Sequence, residues 1–229
     1  MNIHQTENQI ETVTNFQDLV SIPFHGEVNA LCWKRELLGD FSEIVKKMET
    51  AENIVELDLK LLQELELSEQ GNLARKILLS DMKLLKEQGV SPVLNVIKNY
   101  DRDDFFFPTD VYSHHVDRSP IPTNTFLCTY FGDASEIISN SQVIQKVLVP
   151  EIRAELKKIH GGPDTDFESF LTEYFFDLHY QALPDARPIN LGIGNLWRLA
   201  VDHPESNVQP CVHRAPNETS GQSRLLLIC

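Results

Sequence analysis

The sequence predicts an α+β fold in which a helical layer packs on a β-barrel or sandwich with a helical insertion, and three observations carry that expectation. From Leu37 onward apolar residues recur at helical spacing, whereas after Tyr100 the chain breaks into short apolar or alternating runs separated by Pro, Gly, Asn and Asp. A length of 229 residues, 41% of them hydrophobic, supports one core and a single domain over residues 1–229. No internal repeat or low-complexity segment suggests a different organisation.

Taken in order, residues 1 to about 30 carry no helical period, and Pro23 with His25-Gly26 marks them as an irregular arm. Between Leu37 and about Glu87, the groups Ile44, Val45, Met48, then Ile54, Leu57, Leu61, Leu62, Leu65, then Ile77, Leu78, Met82, Leu84, Leu85 follow a helical pattern. Residues 30–100 therefore read as mainly helical support. Gly71-Asn72 is expected to separate two helices, and Gly89 followed by Pro92 to end the last one. Residues 101–229 are expected to form the β-structure. Its strands are read at Asp110 to Asp117, Thr125 to Phe131, Ile189 to Val201, Gln209 to Arg214 and Ser223 to Cys229. An insertion at about 141–178 holds two helices, Ser141 to His160 and Asp166 to Leu178, with Pro150 near a helix start and Gly161-Gly162-Pro163 as a stop.

Thirty-four acidic residues against 20 basic ones give a net charge of −14 and a pI near 4.9. Such a surface repels phosphate backbones and anionic lipid, so neither nucleic acid nor a membrane is an expected partner, and a small-molecule substrate is. No apolar run approaches the ~20 residues that span a bilayer, and the first residues are polar, unlike a signal peptide, so a cytoplasmic location is expected. Cys32, Cys128, Cys211 and Cys229 are widely spaced, as free thiols in a reducing compartment would be.

The chemistry-bearing segment is Ser113-His114-His115-Val116-Asp117. On a strand, His115 and Asp117 project from one face and His114 from the other, which selects His115 with Asp117 as a pair. His213 lies 98 residues after His115 in Cys211-Val212-His213-Arg214, and Arg224 follows 11 residues later at the start of a terminal apolar strand. Two imidazoles and one carboxylate form a facial triad suited to Fe(II) with open positions. Arg118 and Arg214 fall on the opposite strand face from the ligands, which suits exposure to solvent or structural pairing rather than clamping a cosubstrate. His25, His160, His179 and His203 stand alone in the sequence and read as ordinary surface or core histidines.

This ordered set, a His-x-Asp pair, a distant His and an Arg one strand later, resembles the 2-oxoglutarate- and Fe(II)-dependent oxygenase superfamily. Further segments are similar to the uncharacterised bacterial domain-of-unknown-function family 1826: Asn29 to Arg35, His115 to Arg118, Leu127 to Tyr130 with Gly132, His213 to Pro216, and Arg224 to Leu227. The resemblance implies a double-stranded β-helix, a jelly-roll or cupin-like barrel, in which His115, Asp117 and His213 bind Fe(II). It also implies that Arg224 grips the far carboxylate of the cosubstrate 2-oxoglutarate, with Tyr130 or Asn124 as further contacts. Charge is consistent with this set, because Fe(II), Asp117, the 2-oxoglutarate dianion and Arg224 sum to zero. The implied activity is hydroxylation of a small-molecule or protein substrate. The alternative is a metal-binding β-barrel module with a sensing or structural role and no turnover. Cupin-type isomerases and zinc hydrolases leave Arg224 without a purpose.

Overall fold

The computed structural model describes residues 7–48, 51–217 and 222–229. It is α+β, with two β-sheets and a helical layer. The N-terminal third contributes β1 (Ile10–Val13), α1 (Phe16–Ser21), β2 (Ala30–Trp33), α2 (Phe41–Lys47), β3 (Ile54–Glu56), α3 (Leu59–Glu64), α4 (Glu69–Glu87) and β4 (Val93–Ile97). There follow β5 (His114–His115), β6 (Asn124–Phe131), β7 (Glu136–Ile138), β8 (Val143–Gln145), α5 (Pro150–His160) and α6 (Phe167–Glu173). The chain closes with β9 (His179–Ala182), β10 (Ile189–Asn190), β11 (Leu196–Ala200), β12 (Val212–Arg214) and β13 (Arg224–Ile228).

The larger sheet runs β1-β2-β11-β6-β13-β4-β3 and the smaller β10-β7-β12-β5-β9-β8. Only the β1–β2 pair is parallel among the paired strands. From β4 to β7, and again from β10 to β13, successive strands alternate between the two sheets. The alternation of side chains divides the larger sheet's contacts. Phe126, Cys128, Tyr130, Leu225 and Leu227 join a core with Ile44, Leu78 and Leu85 of the helices, whereas Leu127 and Leu226 join Ile137 and Cys211 from the smaller sheet. A third cluster, Phe107, Val147, Leu156, Phe167 and Leu171, packs α5 and α6.

Several sequence expectations are corrected. The supposed irregular arm holds β1 and α1, with Asn15 capping α1 by accepting from the Asp18 amide. The 30–100 region is not only helical support, since β2, β3 and β4 join the larger sheet. Gly71 does not separate helices but sits in the first turn of α4, because a Cβ there would stand 2.2 Å from Glu43 Oε2. Without that Cβ, Glu43 reaches Ser68, the α4 cap, accepting from its hydroxyl at 2.6 Å and its amide at 2.9 Å. The expected helix from Ser141 begins only at Pro150, after β8 has paired with β9. The run from Ile189 to Val201 breaks at Gly192 and Gly194, which adopt φ of +74° and +81°. Of Asp110 to Asp117 only His114–His115 is strand, the preceding turn being held by Asp110 accepting from the Tyr112 and Ser113 amides.

Among the described residues, no helix is long and apolar enough to cross a membrane.

Candidate metal centre

β5 and β12 are adjacent in the smaller sheet, and their register places His213 directly opposite His115. Opposed residues of an antiparallel pair point to one face, so two histidines remote in sequence become neighbours. Their ring centroids lie 4.5 Å apart. Asp117 follows just beyond the end of β5, and its backbone carbonyl accepts from the Asp202 amide, which fixes the departing chain. Asp117 Oδ2 lies 3.7 Å from His213 Nε2. One ligand atom from each of His115, Asp117 and His213 lies within 4.8 Å of the others, the only such group of three or more His, Cys, Asp or Glu among the described residues.

The surrounding bonds prepare each group as a donor. His115 Nδ1 donates to the Ser113 carbonyl at 2.7 Å and His213 Nδ1 to the Cys211 carbonyl at 3.1 Å. A carbonyl can only accept, so the neutral form of each ring carries its proton on Nδ1 and presents a lone pair at Nε2. Burial, then the neighbouring His213, holds the His115 ring well below the usual imidazole range. Burial works to raise the Asp117 carboxyl, but His213, a hydrogen bond from Thr125 Oγ1 and His115 outweigh it and hold it below the usual carboxylate range. Neutral imidazoles and an ionised carboxylate are the states a divalent metal requires. Ligand atoms sharing one ion at ~2.1 Å stand roughly 3 Å apart, so the triad is slightly more open than a closed coordination shell.

Arg224 begins β13, the neighbour of β6 in the larger sheet, and is 1% exposed. Its Nη2 donates to Ser135 Oγ at 3.3 Å, and its guanidinium carbon lies 5.9 Å from the Tyr100 ring centroid. Gly132 makes room for it, since a Cβ at that position would stand 2.8 Å from the Arg224 Cα and Cβ. Arg118 pairs with Asp177 and Asp202, and Arg214 with Glu136, so both serve structure.

Tyr130 and Asn124 do not join this group. Tyr130 faces the helical layer, stacks on Phe41 at 5.3 Å and donates to Asp81 Oδ2 at 2.7 Å. Asn124 shares the strand parity of Tyr130, and its neighbour Thr125 is the β6 residue that reaches Asp117. Thr125 escaped the sequence reading, although parity on β6 could have singled it out. His179 is likewise not isolated: β9 sets it opposite His115, with ring centroids 6.2 Å apart and a buried Nδ1 that has no hydrogen-bond partner.

No family model matches this chain, and no curated protein and no solved structure matches it either.

Proposed function

We propose that this chain is an Fe(II)- and 2-oxoglutarate-dependent oxygenase built on a double-stranded β-helix, acting on a small-molecule or protein substrate. The observation that carries the reading is the convergence of His115, Asp117 and His213 within 4.8 Å across a 98-residue separation, with a buried arginine at the head of the strand that follows in the chain. Two strand sets support the barrel. The order β4-β13-β6-β11 in one sheet and β5-β12-β7-β10 in the other, with the chain alternating between them, is compatible with a double-wound jelly roll and supports this reading.

The donor set fits Fe(II): two nitrogens and one oxygen on one side leave the opposite positions for exogenous ligands. Iron with 2-oxoglutarate would supply dioxygen activation coupled to oxidative decarboxylation of the keto acid to succinate and carbon dioxide. The chain's own contribution is orientation and charge. The Ser113 and Cys211 carbonyls fix both imidazoles, Thr125 fixes the Asp117 carboxylate, and Arg224 offers a planar two-pronged donor to the remote carboxylate of the keto acid. Arg224 also closes the charge balance, which matters in a site where a leftover buried charge is costly.

Anaerobic titration of the Fe(II)-loaded protein with 2-oxoglutarate should produce the weak visible charge-transfer band of a chelated keto acid, and admitting air with ascorbate should release succinate. Metal binding with no such band and no succinate across a broad substrate screen would leave a metal-binding barrel without turnover.

A further inference from the structure

His114 and Arg214 point to the reverse of the strands that carry His115 and His213, and a cavity of about 270 Å³ opens beside them. Its polar lining includes Arg102, Lys146, Arg214 and His114, with Asp110 as the only acidic residue among the described ones that line it. Three cations around one small cavity are conspicuous in a chain of net charge −14. Their partners leave donor capacity. The Arg102 guanidinium lies over the Tyr112 ring at 3.4 Å, and its Nη2 donates to Asn217 Oδ1 at 3.2 Å. Lys146 is 7% exposed and donates to the Pro108 carbonyl and Ser113 Oγ, each at 2.6 Å, two of the three bonds an ammonium can make. Arg214 spends Nε and Nη2 on Glu136. His114 is 7% exposed and forms part of the cavity wall.

We infer that this cavity is a binding site for a phosphate-type oxyanion, either the free ion or the head of a small phosphomonoester, separate from the metal centre. A planar carboxylate is satisfied by one arginine fork, whereas cationic donors from three separate parts of the chain, Arg102, Lys146 and Arg214, suit a tetrahedral ion with several acceptor oxygens. The volume admits a phosphate group with a small organic substituent and lies just below the usual range for drug-sized ligands. Glu136 neutralises much of Arg214, so Arg102 and Lys146 carry the attraction.

Equilibrium dialysis of radiolabelled inorganic phosphate against the full chain tests this, with metal stripped by chelation so that phosphate cannot ligate an ion. One saturable equivalent is expected, displaced by sulfate and by a small phosphomonoester but not by acetate. Arg102 is exposed, so Arg102→Ala should leave the fold intact and weaken phosphate at least about tenfold. Lys146→Met, checked for folding by circular dichroism, should weaken it as well. Absence of saturable binding, equal affinity in folded Arg102→Ala, or equal displacement by acetate would each overturn the inference.

Discussion

At the scale of single residues, the triad makes the sharpest discrimination between neighbours. His115→Ala should abolish stoichiometric Fe(II) or Zn(II) binding in a metal titration, whereas His114→Ala should retain it, because β5 directs only His115 toward His213. Thr125 holds Asp117 without being a ligand itself. Thr125→Val should therefore keep the metal stoichiometry and weaken affinity by roughly 10- to 100-fold, the usual effect of removing a partner that orients a ligand. Arg224→Lys should leave metal binding unchanged but weaken 2-oxoglutarate by ~2 to 5 kcal/mol, since a point charge replaces a fork. Equal 2-oxoglutarate affinity in both proteins would reassign Arg224 to structure. The triad was legible in the sequence because its residue types and order are constrained by the chemistry. Thr125 and His179 were not, because each acquires its role from a residue brought alongside by strand pairing rather than by local spacing.

At the scale of elements, the helical layer is fastened to the larger sheet by a buried polar junction. Asp81 of α4 is 3% exposed and accepts from Arg35 Nη1 at 2.8 Å and Tyr130 Oη at 2.7 Å. Arg35 also donates to the Gly194 carbonyl at 3.0 Å and lies over the Trp33 ring at 4.6 Å. The segments Asn29 to Arg35 and Leu127 to Tyr130, which suggested a family resemblance, thus meet at this junction on the helical side of the sheet. Tyr130→Phe should cost ~1 to 3 kcal/mol in urea denaturation, because it removes one donor from a buried carboxylate. It should leave 2-oxoglutarate affinity unchanged, and a selective loss of that affinity would return Tyr130 to the cosubstrate site. Long elements such as α4, β6 and β13 were readable from apolar periodicity. The strands β7 to β10, of two to four residues, were mostly not, since segments that short are set by their partners more than by their own propensities. Gly71 misled for a related reason: a residue that usually breaks a helix is here required by a side chain from another helix.

At the scale of the whole molecule, the buried thiols set the alkaline limit of stability. Cys32 and Cys128 are fully buried, and burial pushes each thiol up to about 12; burial likewise raises Cys229 to about 11. Below the unfolded thiol value near 9 these groups are protonated in both states and contribute nothing to pH dependence. Above it the unfolded chain releases protons that the folded chain retains, so stability falls with rising pH by up to ~1.4 kcal/mol per unit for each thiol. Lys146 acts in the opposite sense. Burial pushes its amine down to about 8, so between that value and its ordinary 10.5 the folded state sheds a proton that the unfolded state keeps, and stability rises. One group gains over pH 8 to 10.5 while all four thiols, the equally buried and raised Cys211 included, lose from pH 9 upward, so the gain prevails only below about pH 9. Urea midpoints of the reduced, chelator-treated protein should therefore be level or slightly higher at pH 8.5 than at pH 7.5, and clearly lower at pH 10.5. In Lys146→Met the small rise should vanish and the fall should steepen, because the compensating deprotonation is gone. A midpoint at pH 10.5 as high as that at pH 8.5 would mean that the thiols ionise as easily folded as unfolded, contrary to their burial between the sheets and beneath the helices.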